Sequence, residues 1–122
     1  DLMKFMNLYL QNGTYMNDKI LPKRRVKEFI NAPFYANNNR RGIIFDKPSI
    51  DPEELGPTCD SVSLSSFGHS GFTGTLAWAD PDKDLIYIFL SNARVFPNGN
   101  NTKLIERNIR TEIQSIIYNS LK

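Results

Sequence analysis

The chain has 122 residues, 40% of them hydrophobic, with 15 basic and 13 acidic side chains and a net charge of +2. That length holds one domain of the usual ~100–200 residues, and the apolar fraction argues against wholesale disorder. The balanced, interspersed charge makes no demand for nucleic acid or an anionic membrane, and no apolar run approaches the roughly 18 residues of a membrane span.

Asp1 is an acceptable N-cap, and Leu2, Phe5, Met6, Tyr9 and Leu10 follow at helical spacing. This predicts an amphipathic helix ended by Asn12-Gly13, with Gly in the C′ role. Thr14 to Ile20 reads as a loop. Pro22 suits a first helical position, with Leu21 as a poor N-cap, and Val26, Phe29 and Ile30 form a stripe that Asn31-Ala32-Pro33 stops. The basic residues Lys19, Lys23, Arg24, Arg25 and Lys27 read as its solvated face.

Residues 35–41 carry no periodicity and predict an exposed loop. Gly42 to Asp46 is a short strand candidate, and Lys47 to Pro57, with three prolines, is another loop. Val62 and Leu64 alternate with serines up to Phe67, predicting a half-buried strand. Thr75 to Ala79 alternates again, with Leu76 and Trp78 on one face. Asp80-Pro81-Asp82-Lys83 is a turn. Leu85 to Leu90 is apolar throughout, as a strand covered on both faces would be. Pro97 to Asn101 predicts a loop. Beyond it, Leu104, Ile105, Ile109, Ile113, Ile116 and Ile117 predict one helix of about four turns, with Glu106, Arg107, Arg110 and Glu112 opposite.

The order implies an α+β unit with an antiparallel sheet and a packed C-terminal amphipathic helix. The long helix covers one sheet face, and the two N-terminal helices are the candidates for the other. One cysteine, Cys59, and one histidine, His69, exclude a disulfide framework and a closed tetrahedral zinc site, so no metal or cofactor is expected. Cys59 stands beside Asp60, without the positive neighbours that activate a thiol, and reads as structural.

The densest run of chemistry-bearing residues is Phe67-Gly68-His69-Ser70-Gly71-Phe72-Thr73-Gly74-Thr75. Its glycines allow a ligand close to the backbone and leave amide N–H groups to point at it. A glycine-rich strand bend carrying a surface histidine is the plainer reading.

This run, followed by Trp78-Ala-Asp-Pro81 and Leu85-Ile-Tyr-Ile-Phe-Leu-Ser-Asn92, resembles the C-terminal part of serine β-lactamase-related hydrolases. These are the class C β-lactamase, esterase and DD-peptidase-like proteins. Asp1-Leu-Met-Lys-Phe5 is similar to a helix of that family, and Asn12-Gly13 with Ile20-Leu21-Pro22 fits the segment after it. The resemblance implies a β-lactamase/penicillin-binding-protein-like fold and acyl-enzyme chemistry on an ester, amide or peptide bond.

His69-Ser70-Gly71 then matches the family's third motif, with His in place of Lys and Ser in place of Thr. The resemblance implies substrate binding by His69, Ser70 and Gly71, and an oxyanion-hole backbone N–H at Phe72. No Ser-x-x-Lys occurs in the chain. Tyr15-Met16-Asn17 and Tyr35-Ala36-Asn37 match Tyr-x-Asn only formally, because both follow the Asp1 helix. The expectation is that residues 1–122 are the C-terminal portion of a β-lactamase-like domain. The missing N-terminal part would be the partner that carries nucleophile, base and proton relay. Its absence predicts uncovered apolar surface and self-association. The family setting implies an extracytoplasmic location. The rival reading is a truncated, non-catalytic β-lactamase-like module that binds protein or glycan.

Overall fold

In the computed structural model, which describes residues 1–37, 39–51, 53–54, 56–93 and 103–121, the chain is a small α+β protein. Helix α1 (Leu2–Leu10) buries Met6 and Tyr9 of the predicted stripe. Gly13 follows at φ +92°, its amide donating to the Leu8 carbonyl at 2.8 Å, which stops the helix as expected. The loop predicted at Thr14 to Ile20 is instead a small hairpin. Strands β1 (Thr14–Tyr15) and β2 (Asp18–Lys19) pair antiparallel across Met16 and Asn17, whose φ values of 50° and 70° make the tight turn. Helix α2 (Lys23–Ile30) starts one residue later than predicted, with Pro22 as its N-cap, and buries Val26.

Gly42 to Asp46 is not a strand. A turn closed by the Gly42 amide on the Phe45 carbonyl (2.8 Å) takes up most of it, and only Asp46 forms bridges, to Arg41 and to Gly68. The serines of the next predicted strand serve as ligands rather than as an outward face. Ser63 bonds the Asp80 carboxylate through its amide and its hydroxyl, and the Ser66 hydroxyl accepts from the Trp78 indole at 2.9 Å. The strand therefore begins only at Phe67.

The main sheet is β3 (Phe67–Ser70), β4 (Leu76–Asp80) and β5 (Leu85–Phe89), antiparallel in the order β3-β4-β5. The middle strand β4 is buried along its whole length. β5, predicted to be covered on both faces, is an edge strand with only Tyr87 fully buried. Alternation divides the sheet cleanly. Phe67, Ala77, Ala79, Ile86 and Ile88 face α1, α2 and Phe45, with the Phe45 ring centroid 4.9 Å from that of Tyr9, edge to face, and 4.9 Å from that of Phe67. Leu76, Trp78, Tyr87 and Phe89 face the other way, against Val62 and Ile117.

The predicted last helix is broken. Helices α3 (Lys103–Glu106) and α4 (Ile109–Ser120) are separated by Asn108 in the left-handed region, φ 47°. The buried face of α4 is Gln114 and Tyr118, whereas Ile105, Ile113 and Ile116 of the isoleucine stripe are exposed. Polar contacts dock the helix. Gln114 accepts from the Cys59 amide at 2.9 Å, and Tyr87 donates to the Arg110 carbonyl at 2.9 Å. The loop predicted at Pro97 to Asn101 lies outside the described residues. Among the described residues no helix is long and apolar enough to cross a membrane.

Candidate functional site

The glycine-rich run spans β3 and the turn into β4. Phe67, His69 and Gly71 pair inward, opposite Ala79, Ala77 and Thr75, and the Gly71 amide donates to the Thr75 carbonyl at 2.7 Å. Gly68 turns its backbone the other way and exchanges both bonds with Asp46, at 2.7 and 3.1 Å. Ladder alternation then directs the N–H and C=O of Ser70 to the same outer edge. Beyond Asp46 no described residue continues the pairing, so that edge is open at Ser70.

Side chains alternate as well. His69 lies on the α1 face, exposed, with Nδ1 2.7 Å from the Ser70 carbonyl oxygen. Ser70 lies on the α4 face and is half-buried. The two polar residues expected to work together thus address opposite sides of one strand. Trp78 explains the glycine between them and Phe67, because a Cβ on Gly68 would collide with its ring and with the Ala77 carbonyl.

The turn is tightly held. Gly74, at φ +92°, donates to the Gly71 carbonyl at 3.0 Å, and a Cβ there would press on Ser91 Oγ at 3.1 Å and Leu104 at 3.2 Å. Thr73 accepts from the Ala93 amide at 3.0 Å, and Thr75 donates to the Ser91 carbonyl at 3.2 Å. A Cβ on Gly71 would make only ordinary contacts, with the Thr75 Cβ at 3.4 Å and the Thr75 carbonyl oxygen at 3.8 Å. Phe72 sits at the tip, its residue 78% exposed. An exposed imidazole beside an open strand edge and a rigid glycine turn can hold an extended ligand.

Sequence reasoning missed the arginines around this strand. Arg40 and Arg41 both bond the Asp46 carboxylate, at 2.9 and 2.7 Å, which clamps the segment that pairs with Gly68. Arg110, assigned to the solvated side of the last helix, is half-buried and donates to the Gly74 carbonyl at 3.1 Å. The break at Asn108 turns it inward, and periodicity across an unbroken helix could not show that.

The other features behave as structural ones. Cys59 is buried, and burial pushes its thiol pKa up. The basic residues of α2 are exposed, with Arg25 on Glu28 at 2.7 Å. Tyr15-Met16-Asn17 lies in the β1–β2 hairpin, and Tyr35-Ala36-Asn37 forms a 3₁₀ turn whose tyrosine donates to the Pro48 carbonyl at 2.9 Å. No protein family, curated protein or solved structure matches this chain.

Proposed function

We propose that residues 1–122 form the C-terminal portion of a β-lactamase-like serine hydrolase domain that cleaves an ester, amide or peptide bond through an acyl-enzyme. The observation that carries this reading is the open outer edge of β3 at Ser70, flanked by the exposed His69 and followed by the fixed Gly71–Gly74 turn. A substrate would lie along that edge, bonding the backbone of Ser70 and passing Gly71, which carries no side chain of its own. His69 would border the reacting group on the α1 face. The Phe72 amide would stabilise the tetrahedral oxyanion, a donor of a kind that contributes roughly 10²–10³ in rate. Nucleophile, base and proton relay would come from a segment outside these residues. This chain alone would then be inactive, because an oxyanion donor without a nucleophile stabilises a charge that never forms.

An acyl-enzyme trap tests this. A fluorophosphonate or a fluorescent penicillin should label the parent protein on a serine outside residues 1–122 and leave the isolated chain unlabelled. Labelling of the isolated chain would overturn the reading of residues 1–122 as a portion without the nucleophile, and an unlabelled parent that still binds protein or glycan would replace the hydrolase with the non-catalytic module.

A further inference from the structure

Lys47 is a buried amine beside a cavity that the candidate site does not use. The cavity, about 460 Å³, is lined by Lys47 and by Arg24, Lys27, Glu28 and Ile30 of α2. That volume falls within the roughly 300–1,000 Å³ of small-molecule sites. The Lys47 Nζ donates to the Ser65 carbonyl, a neutral acceptor, at 2.8 Å. Among the described residues no carboxylate forms a salt bridge with it. Burial pulls its pKa down to about 8, against the longer-range pull of Asp80 and Asp82. At pH 8 about half of this side chain is therefore the free amine, where an ordinary lysine near 10.4 is only about 0.4% free amine. A desolvated lysine of this kind is a nucleophile toward carbonyl carbon.

The charges lining the cavity are unequal. Arg24, Lys27 and Lys47 share it with one carboxylate, Glu28, which Arg25 already holds at 2.7 Å and Arg24 approaches at 3.8 Å. Lys27 has no salt-bridge partner among the described residues. A ligand carrying a negative group offsets that excess of positive charge.

We propose that Lys47 is a covalent site for small anionic aldehydes, its Nζ condensing with the carbonyl carbon while Arg24 and Lys27 hold the ligand's carboxylate or phosphate in the cavity. The amine lone pair attacks the carbonyl carbon, the C–N bond forms, and the carbonyl oxygen leaves as water with the two amine protons. Proton uptake from solvent then gives a cationic iminium, which Asp80 and Asp82 favour as they favour the ammonium. No oxidant, reductant or further reactant is consumed. The residues along the β3 edge take no part, so the site stands whether or not the chain belongs to a hydrolase.

The test is reductive trapping on the whole 122-residue chain at pH 8. Pyridoxal 5′-phosphate serves as the phosphate-bearing aldehyde and glyoxylate as the carboxylate-bearing one, each with sodium cyanoborohydride, and peptide mass spectrometry locates the adducts. Lys47 should be labelled saturably and about tenfold faster than the exposed Lys4 and Lys83. The faster probe identifies the anion. Lys47→Met should lose this adduct alone. Arg24→Gln and Lys27→Gln change exposed side chains, which keeps the fold intact. Each should slow labelling at Lys47 about threefold, the scale of a solvent-exposed charge contact, and leave Lys4 and Lys83 unchanged. Labelling spread evenly over the lysines, a rate at Lys47 that never saturates, or one indifferent to both α2 substitutions would overturn the proposal.

Discussion

Tyr118 donates its phenol proton to the Asp80 carboxylate across 2.7 Å, tying α4 to the end of the central strand. Both residues are almost wholly buried. Burial drives the Asp80 carboxyl pKa upward, but bonds from Ser63, Tyr118 and the Asp82 amide outweigh it and leave it below its usual value. Burial and the adjoining carboxylate together raise the Tyr118 phenol. A depressed carboxyl contributes stability above about pH 4, which is lost as pH falls through the folded value. A raised phenol contributes stability below about pH 10, which is lost as pH rises further. Tyr118→Phe should therefore cost about 2 kcal/mol at pH 7, the scale of a hydrogen bond to a charge, and should flatten the alkaline loss. Urea denaturation at pH 3, 7 and 10.5 measures both effects. Equal pH dependence in the two proteins would show that the bond does not couple helix to strand.

Lys47 gives an opposite slope between those limits. Its ammonium is largely buried, donates to the Ser65 carbonyl at 2.8 Å, and is pulled down by burial to about 8 despite Asp80 and Asp82 nearby. Between about pH 8 and roughly 10.4 the unfolded chain binds more protons at this site, so stability rises with pH across that window. Lys47→Met keeps much of the stem and removes the charge. Its stability should be flat from pH 7.5 to 9.5 where the parent chain's rises, and a rise that survives the substitution would place its source elsewhere.

Gly68 is the point where packing and the candidate site constrain each other. Its backbone is the only link from β3 to Asp46 among the described residues, and Trp78 occupies the space a side chain would need. Gly68→Ala should force the indole off Ser66 or open the bridge to Asp46, at a cost of about 2–3 kcal/mol, as overpacking a tight site does. Trp78 fluorescence and the denaturation midpoint should shift together. An unchanged midpoint would mean that the edge yields easily and does not rigidly define the strand.

Residues whose role follows from periodicity alone were legible in the sequence: Met6 and Tyr9 of the first helix's stripe, and the alternation of β4 that puts Leu76 and Trp78 on one sheet face. The loop from Lys47 to Pro57 was legible too, and its described residues form no helix or strand, as its prolines favour. Two of the departures share one cause, which is polar groups spent inside the fold. Ser63 and Ser66 look like the outward half of a strand until Asp80 and Trp78 claim them. Gln114 and Tyr118 look solvated until Cys59 and Asp80 bury them in place of Ile113 and Ile116. At the candidate site, the glycine-rich run reads from the residues alone as a strand bend carrying His69, whereas the role of Arg110 depends on its bond to Gly74, 36 residues away in the chain.

That exchange of buried faces leaves apolar surface on α4. Ile113, Ile116 and Leu121 are exposed, as are Leu90 just past β5 and Ile105 on α3. β5 also presents an outer edge to which no described strand pairs. Unpaired edges and clustered apolar side chains both favour association. The chain should therefore sediment as a concentration-dependent mixture of monomer and larger species and should bind ANS. Ile116, 68% exposed and outside both apolar clusters, is the side chain to change. Ile116→Glu should raise the monomer fraction and reduce dye binding while leaving the denaturation midpoint within about 0.5 kcal/mol, as a surface substitution does. If association persists unchanged in Ile116→Glu but disappears in Leu90→Lys, the β5 side mediates the contact rather than α4. A chain that is monomeric at every concentration and binds no dye would mean that neither surface needs a partner.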